Sequence, residues 1–209
     1  MVRRLSVTLG LALSVTMAQP ARAEPVTPTD LGTVLLGAQV GGSMTDAFAA
    51  FDPPPTSIGD ATTSVFFDGV NYFYTQRVLP TGDLNVLFNT EFSVPGFTGL
   101  AGWRFSDAAA AGAAGNALDF HIERSDGQLV YAALGPAFGE WNAFEPITFF
   151  FASTLPPTIK GYGLLSLSPF EFGSAQGLAP VPEPGSIALF GSGVVALYAA
   201  IRRRRSLKM

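Results

Sequence analysis

The sequence predicts an all-β body, an antiparallel β-sandwich of jelly-roll-like type, with an N-terminal signal helix before it and one C-terminal transmembrane helix after it. Short runs rich in Phe, Tyr, Val and Leu alternate with Gly, Pro, Asp and Asn along the middle of the chain, the pattern of many strands joined by tight turns. Uninterrupted apolar stretches flanked by arginine occur only at the two ends. The expected organisation is a signal peptide at 1–23, a body at 24–172, a linker at 173–180 and a sorting segment at 181–209 whose membrane helix covers 185–201.

From the N-terminus, Arg3 and Arg4 precede an apolar stretch from Leu5 to Met17, and small residues end in Ala21-Arg22-Ala23. These are the parts of a secretory signal, cut after Ala23 by the A-x-A rule and read by the secretion translocon. Asp52-Pro53-Pro54-Pro55 predicts a surface loop. Thr62–Phe67 and Val70–Leu79 predict a hairpin closed by Asp68-Gly69, since Asp-Gly takes the positive φ of a two-residue turn. Pro80-Thr81-Gly82-Asp83 predicts the turn of a second hairpin into a strand that sets Leu84, Val86, Phe88 and Phe92 on one face. Ala108–Gly115 reads as a loop, because Gly112 and Gly115 oppose a stable helix. Leu118, Phe120 and Ile122 alternate with Asp119, His121 and Glu123, and Ser125-Asp126-Gly127 turns this strand into Gln128–Leu134. Ile147–Ala152 and Ile159–Ser168 read as central strands buried on both faces. The small residues that follow read as the linker.

Charge separates the body from its ends. Between Glu24 and Pro180 four basic residues face fifteen acidic ones, a net of −11. Such a body repels phosphate backbones, which excludes nucleic acid as a partner. There is no cysteine, so disulfides, thiolate nucleophiles and Cys-ligated metals are excluded, and a single histidine, His121, cannot build a multi-histidine metal cage. No metal and no cofactor is expected.

At the C-terminus, Pro182-Glu183-Pro184 is followed by an uncharged stretch, Gly185 to Ile201, and then by Arg202, Arg203, Arg204 and Arg205. As a helix the stretch would be about 26 Å long, near the lower limit for crossing a bilayer core. Arginines at its end stay cytoplasmic and leave the body outside. The tail, in this order, resembles the PEP-CTERM sorting signal, with Pro182, Glu183 and Pro184 as the motif and the four arginines as the cytoplasmic stop. The resemblance implies exosortase, a membrane-embedded cysteine transpeptidase or protease that cuts near the motif, and a Gram-negative-type envelope. It also implies transient anchoring in the inner membrane, delivery to the cell surface or the extracellular space, and an association with exopolysaccharide and biofilm matrix.

Catalytic motifs are not apparent: the sequence offers no nucleophile elbow, phosphate loop or metal-ligand spacing. Glu91, Asp119, Glu123, Glu140, Glu145 and Glu171 are the carboxylates from which a glycosidase pair would be drawn. His121, between Asp119 and Glu123, is a candidate pH-responsive spot. Asp68 with Asn71, or Asp83 with Asn85, could offer oxygens to calcium, though neither fits the dense acidic loop of a recognisable site. Among Trp103, Trp141, Tyr72, Tyr74 and Tyr131, the indole of Trp141 in Gly139-Glu140-Trp141-Asn142 is the candidate glycan contact. The expected function is non-enzymatic, a surface or matrix protein linked to exopolysaccharide. A carbohydrate-binding module and a polysaccharide-active hydrolase are the alternatives.

Overall fold

A computed structural model describes residues 23–50, 56–82, 84–112, 118–134, 140–167 and 170–181. Among them the chain forms β1 (Glu24–Val26), β2 (Thr29–Asp30), a 3-10 turn (Leu31–Thr33), β3 (Ala38–Gln39), β4 (Met44–Ala50), β5 (Ser57–Phe67), β6 (Tyr72–Pro80), β7 (Leu84–Thr90) and β8 (Phe97–Trp103). Then come α1 (Phe105–Ala111), β9 (Asp119–Ser125), β10 (Gln128–Leu134), β11 (Glu140–Trp141), β12 (Ile147–Ser153), β13 (Pro157–Leu167) and β14 (Phe170–Pro180).

The all-β expectation holds, but the two faces of the core belong to one curled sheet and not to two separate ones. Hydrogen bonding runs without a break through β1-β9-β10-β7-β13-β14-β4-β5-β6-β12-β8-β2, with β11 beside β7 and β3 beside β5. The first and last members of that path are adjacent in sequence: β1 pairs with β9 and β2 with β8, so the N-terminal segment bridges the two ends of the sheet. Curling brings side chains of non-neighbouring strands together. Phe88 on β7 stacks at 4.7 Å on Phe149 of β12 across the curl, and also packs with Tyr131 at 5.7 Å and Tyr162 at 6.0 Å on its own neighbours β10 and β13. Interruptions of register between Ala47 and Ala49 and between Phe151 and Ser153 mark where strands bend, as bulges do in closing sheets.

β12 is buried along nearly its whole length, as its apolar run predicts. One face enters the main core. On the other, Phe150 and Ala152 join Phe73 and Leu31 in a smaller outer cluster, with Val34 and Leu36 packed against it. A short strap of chain after β2 thus covers the outside of the sheet.

The β9–β10 hairpin forms as predicted, with Ser125 opposite Gln128 and φ of 51° at Asp126 and 78° at Gly127, the left-handed pair of a type I′ turn. Phe67 stands opposite Tyr72, so β5 and β6 are joined by the four residues Asp68–Asn71 and not by Asp68-Gly69 alone. The Asp68 carboxylate makes the wider turn, accepting from the amides of Val70 at 2.8 Å and Asn71 at 2.7 Å. Those bonds, Asn71 first, lower the Asp68 pKa.

Three expectations are corrected. β6 and β7 are not a hairpin: β6 lies between β5 and β12, and β7 between β10 and β13, so the Pro80 turn carries the chain across the curl. Part of the presumed Ala/Gly loop is helix, because α1 places Ala108 and Ala111 in the core and ends at Gly112. The 173–180 linker is the strand β14, paired with β13 from Pro157↔Pro180 to Leu167↔Phe170 and with β4 at Gly173 and Ser174. Its small residues serve close packing. A Cβ at Gly173 would lie 2.9 Å from the Phe48 carbonyl oxygen, and one at Gly177 2.5 Å from Thr63 Cγ2.

Residues 185–201, the expected membrane helix, and the signal peptide up to Arg22 lie outside the described residues. Among the described residues no helix is long and apolar enough to cross a membrane.

Candidate functional site

The sequence motif with the most specific chemistry begins where the sheet ends. Pro180 stands opposite Pro157, and the Val181 amide donates to the Pro156 carbonyl at 3.0 Å. Neither Pro157 nor Pro180 has an N–H, the Val181 bond carries the pairing one residue past them, and Pro182 again lacks a donor. Val181 therefore carries the last amide before the Pro-Glu-Pro segment, and its bond ties the motif to the body. At the other end of the chain, Ala23 is exposed and Glu24 already pairs with Arg124 in the sheet.

Following strand directions, β1 starts beside the end of β9, and β14 ends beside the start of β13. The pairings β9–β10, β10–β7 and β7–β13 are all antiparallel. Both the entry into β1 and the exit from β14 consequently fall at the same end of the curled sheet.

A family model, the PEP-CTERM protein-sorting motif, matches residues 180–205. The chain carries a PEP-CTERM sorting signal. That signal implies export, transient membrane anchoring before processing by exosortase, and then a place at the cell surface. Comparisons with curated proteins and with solved structures returned no match. Pro182, Glu183, Pro184 and Arg202 to Arg205 lie outside the described residues, as does Ala21 of the signal-cleavage pair. The PEP-CTERM match begins inside β14, at Pro180. The prolines at 156 and 157 that meet it were visible in the sequence, but their pairing across the sheet was not.

The glycan contact expected at Trp141 is corrected by burial. Its side chain has 0% exposure, packs edge-on against Phe120 and Phe149, and donates its indole N–H to the Glu145 carbonyl at 2.6 Å. Polar neighbours made the segment read as an open loop. The turn at Asn142–Glu145 supplies the carbonyl that satisfies the N–H, which lets the ring enter the core. Trp103, Tyr74 and Tyr131 are buried as well, and Tyr72 stacks on Phe67 at 4.6 Å.

The two buried tyrosines donate to backbone carbonyls, Tyr74 to Leu155 at 2.6 Å and Tyr131 to Phe150 at 2.8 Å, and Tyr162 does the same to Leu178 at 2.6 Å. Burial raises the pKa of all three.

His121 Nε2 and Glu123 Oε1 are 2.7 Å apart on the outer face, both partly exposed. Glu91 accepts from Ser174 at 2.7 Å, a contact between β13's two flanking partners that sequence spacing did not indicate. Asp68 is occupied by its turn amides, and among the described residues no group of three or more His, Cys, Asp or Glu could hold a metal ion. One unanticipated feature is Phe144, which has φ of 63° and an exposure of 69%.

Proposed function

We propose that the chain is a non-enzymatic matrix or envelope protein, exported, processed by exosortase, and retained at the surface in association with exopolysaccharide. The observation that carries this reading is the sorting motif joined without a linker to an acidic β body. The body also commits several of the groups a ligand site would use to contacts of its own. Its tryptophans are interior, Asp68 closes a turn, and Glu91 and Glu123 engage Ser174 and His121.

Intact mass of the protein from cells with and without exosortase activity tests the first part. A species running from Glu24 to the neighbourhood of Pro182-Glu183-Pro184, seen only with exosortase, supports the proposal. Persistence of the C-terminal stretch and arginines in both strains would make the tail an ordinary anchor. For the second part, the processed protein should co-fractionate with exopolysaccharide and be released when that polymer is enzymatically digested; recovery in the free medium before digestion would remove the matrix role.

A further inference from the structure

The end of the sheet from which the tail departs has almost no tether. Val181 is bonded to Pro156, and only Pro182, Glu183 and Pro184 separate it from the apolar stretch at Gly185. Three extended residues reach about 10 Å. The polar headgroup layer on each side of a bilayer is itself about 5–8 Å thick. A folded body on so short a leash has no room to stand clear of the surface. Until the signal peptide is cut after Ala23, the N-terminal side imposes the same limit, because β1 begins at Glu24 and enters at the same end.

From this geometry we infer that, before processing, the body sits end-on against the lipid surface through the tips that surround the exit of β14. The Asp68–Asn71 turn presents Val70 at 72% exposure, the β12–β13 connection presents exposed Pro156, and Ile159 near the start of β13 is 55% exposed. The opposite end is marked by Phe144, whose amide donates to the carbonyl of Pro80 at the far end of β6. A nine-residue strand runs from Tyr72 to Pro80, which separates them by about 26 Å. The body's net −11 disfavours anionic lipid, so the contact is held by tether length and apolar tips and does not weaken as salt is raised. The inference rests on reading 185–201 as a membrane span.

Absence of cysteine from the chain makes the test clean. The full chain is prepared as Val70→Cys and, separately, Phe144→Cys. Each is labelled with an environment-sensitive fluorophore and reconstituted in zwitterionic phosphatidylethanolamine and phosphatidylcholine vesicles that carry a headgroup quencher. Quenching several-fold stronger at 70 than at 144 is expected. A flexible Gly/Ser insertion of about a dozen residues between Val181 and Pro182 should bring site 70 down to the level of site 144. Equal quenching at both sites in the uninserted chain overturns the inference while leaving the span intact. Quenching at 70 that appears only when exosortase is added also overturns it, and assigns this end to the enzyme. A chain that does not float with the vesicles removes the span and the inference together.

Discussion

Replacing Gly177 by Ala separates a strand from a linker by the sign of its effect. In a linker the change is neutral, or stabilises by about 0.4–1 kcal/mol by restricting the unfolded chain. In β14 the new methyl would sit 2.5 Å from Thr63 Cγ2 and 2.8 and 3.0 Å from two atoms of the Tyr162 ring. Neither neighbour is a loose side-chain end. Thr63 Oγ1 accepts from the Leu178 amide at 2.9 Å, which holds its methyl in place. The Tyr162 ring is fully buried, is bonded through its hydroxyl to Leu178, and is packed edge-on against Phe92 at 5.3 Å. Overpacking of this kind costs about 1–3 kcal/mol, and for a body of this size each kcal/mol lowers Tm by about 2–4 °C. Calorimetry of the mature protein should therefore show a fall of roughly 2–12 °C. Gly42→Ala, where a Cβ would meet nothing within 4 Å, is the control and should not fall. A Gly177→Ala melt that matches the control would refute the placement of β14 beneath Thr63 and Tyr162.

Other perturbations follow from the same packing. At Gly102 a Cβ would collide with the Thr29 carbonyl oxygen, a backbone atom with no side-chain freedom. Gly102→Ala should therefore expel β2 from β8, read as faster amide exchange in the N-terminal bridge while the β9–β10 hairpin stays protected. Phe144 holds a left-handed backbone with its ring largely in water, so Phe144→Gly should raise stability by roughly 1 kcal/mol, the released strain less the added chain entropy; a lower Tm would show that the ring contributes packing. Tyr74, Tyr131 and Tyr162 have folded-state pKa values above the unfolded value of 10.0. Their contribution is complete below that value and is lost as pH rises past it. Tyrosinate absorbance should therefore appear for these three together with unfolding, and stepwise ionisation of a folded protein would contradict their burial.

What the sequence disclosed followed from local periodicity. Alternation in Leu118–Glu123 and the Asp126-Gly127 turn gave the β9–β10 hairpin, and the uniform apolar run at Ile147–Ala152 gave a strand covered on both faces. The sorting signal was legible because proline, apolar length and arginine each leave a compositional mark. Long-range pairing was not legible. Nothing in Pro80-Thr81-Gly82 states that β7 will join β10 and β13 across the curl and not return along β6. Gly173, Ala175, Gly177 and Ala179 carry the period of two of a strand, yet small residues satisfy a linker equally well until Thr63 and Tyr162 are seen above them. Trp141 was misplaced for a related reason. Its polar neighbours describe its turn, while its burial depends on Phe120 and Phe149 from distant strands.

The position of β14 also orders events during export. It lies inside the sheet path, between β13 and β4, and contributes Ala175 and Ala179 to the main core. Without it β13 and β4 present open edges that nothing nearer the N-terminus fills, and open edges invite pairing with other chains. The body cannot close until residues through Pro180 are in place, and the sorting segment adjoins them directly. Completion of the sheet and presentation of Pro182-Glu183-Pro184 are thus coupled by sequence adjacency, with the Val181–Pro156 bond formed at the junction. A flexible linker in place of residues 173–180 would have left these two steps independent. A strand there makes closure of the folded body depend on the segment that adjoins the motif.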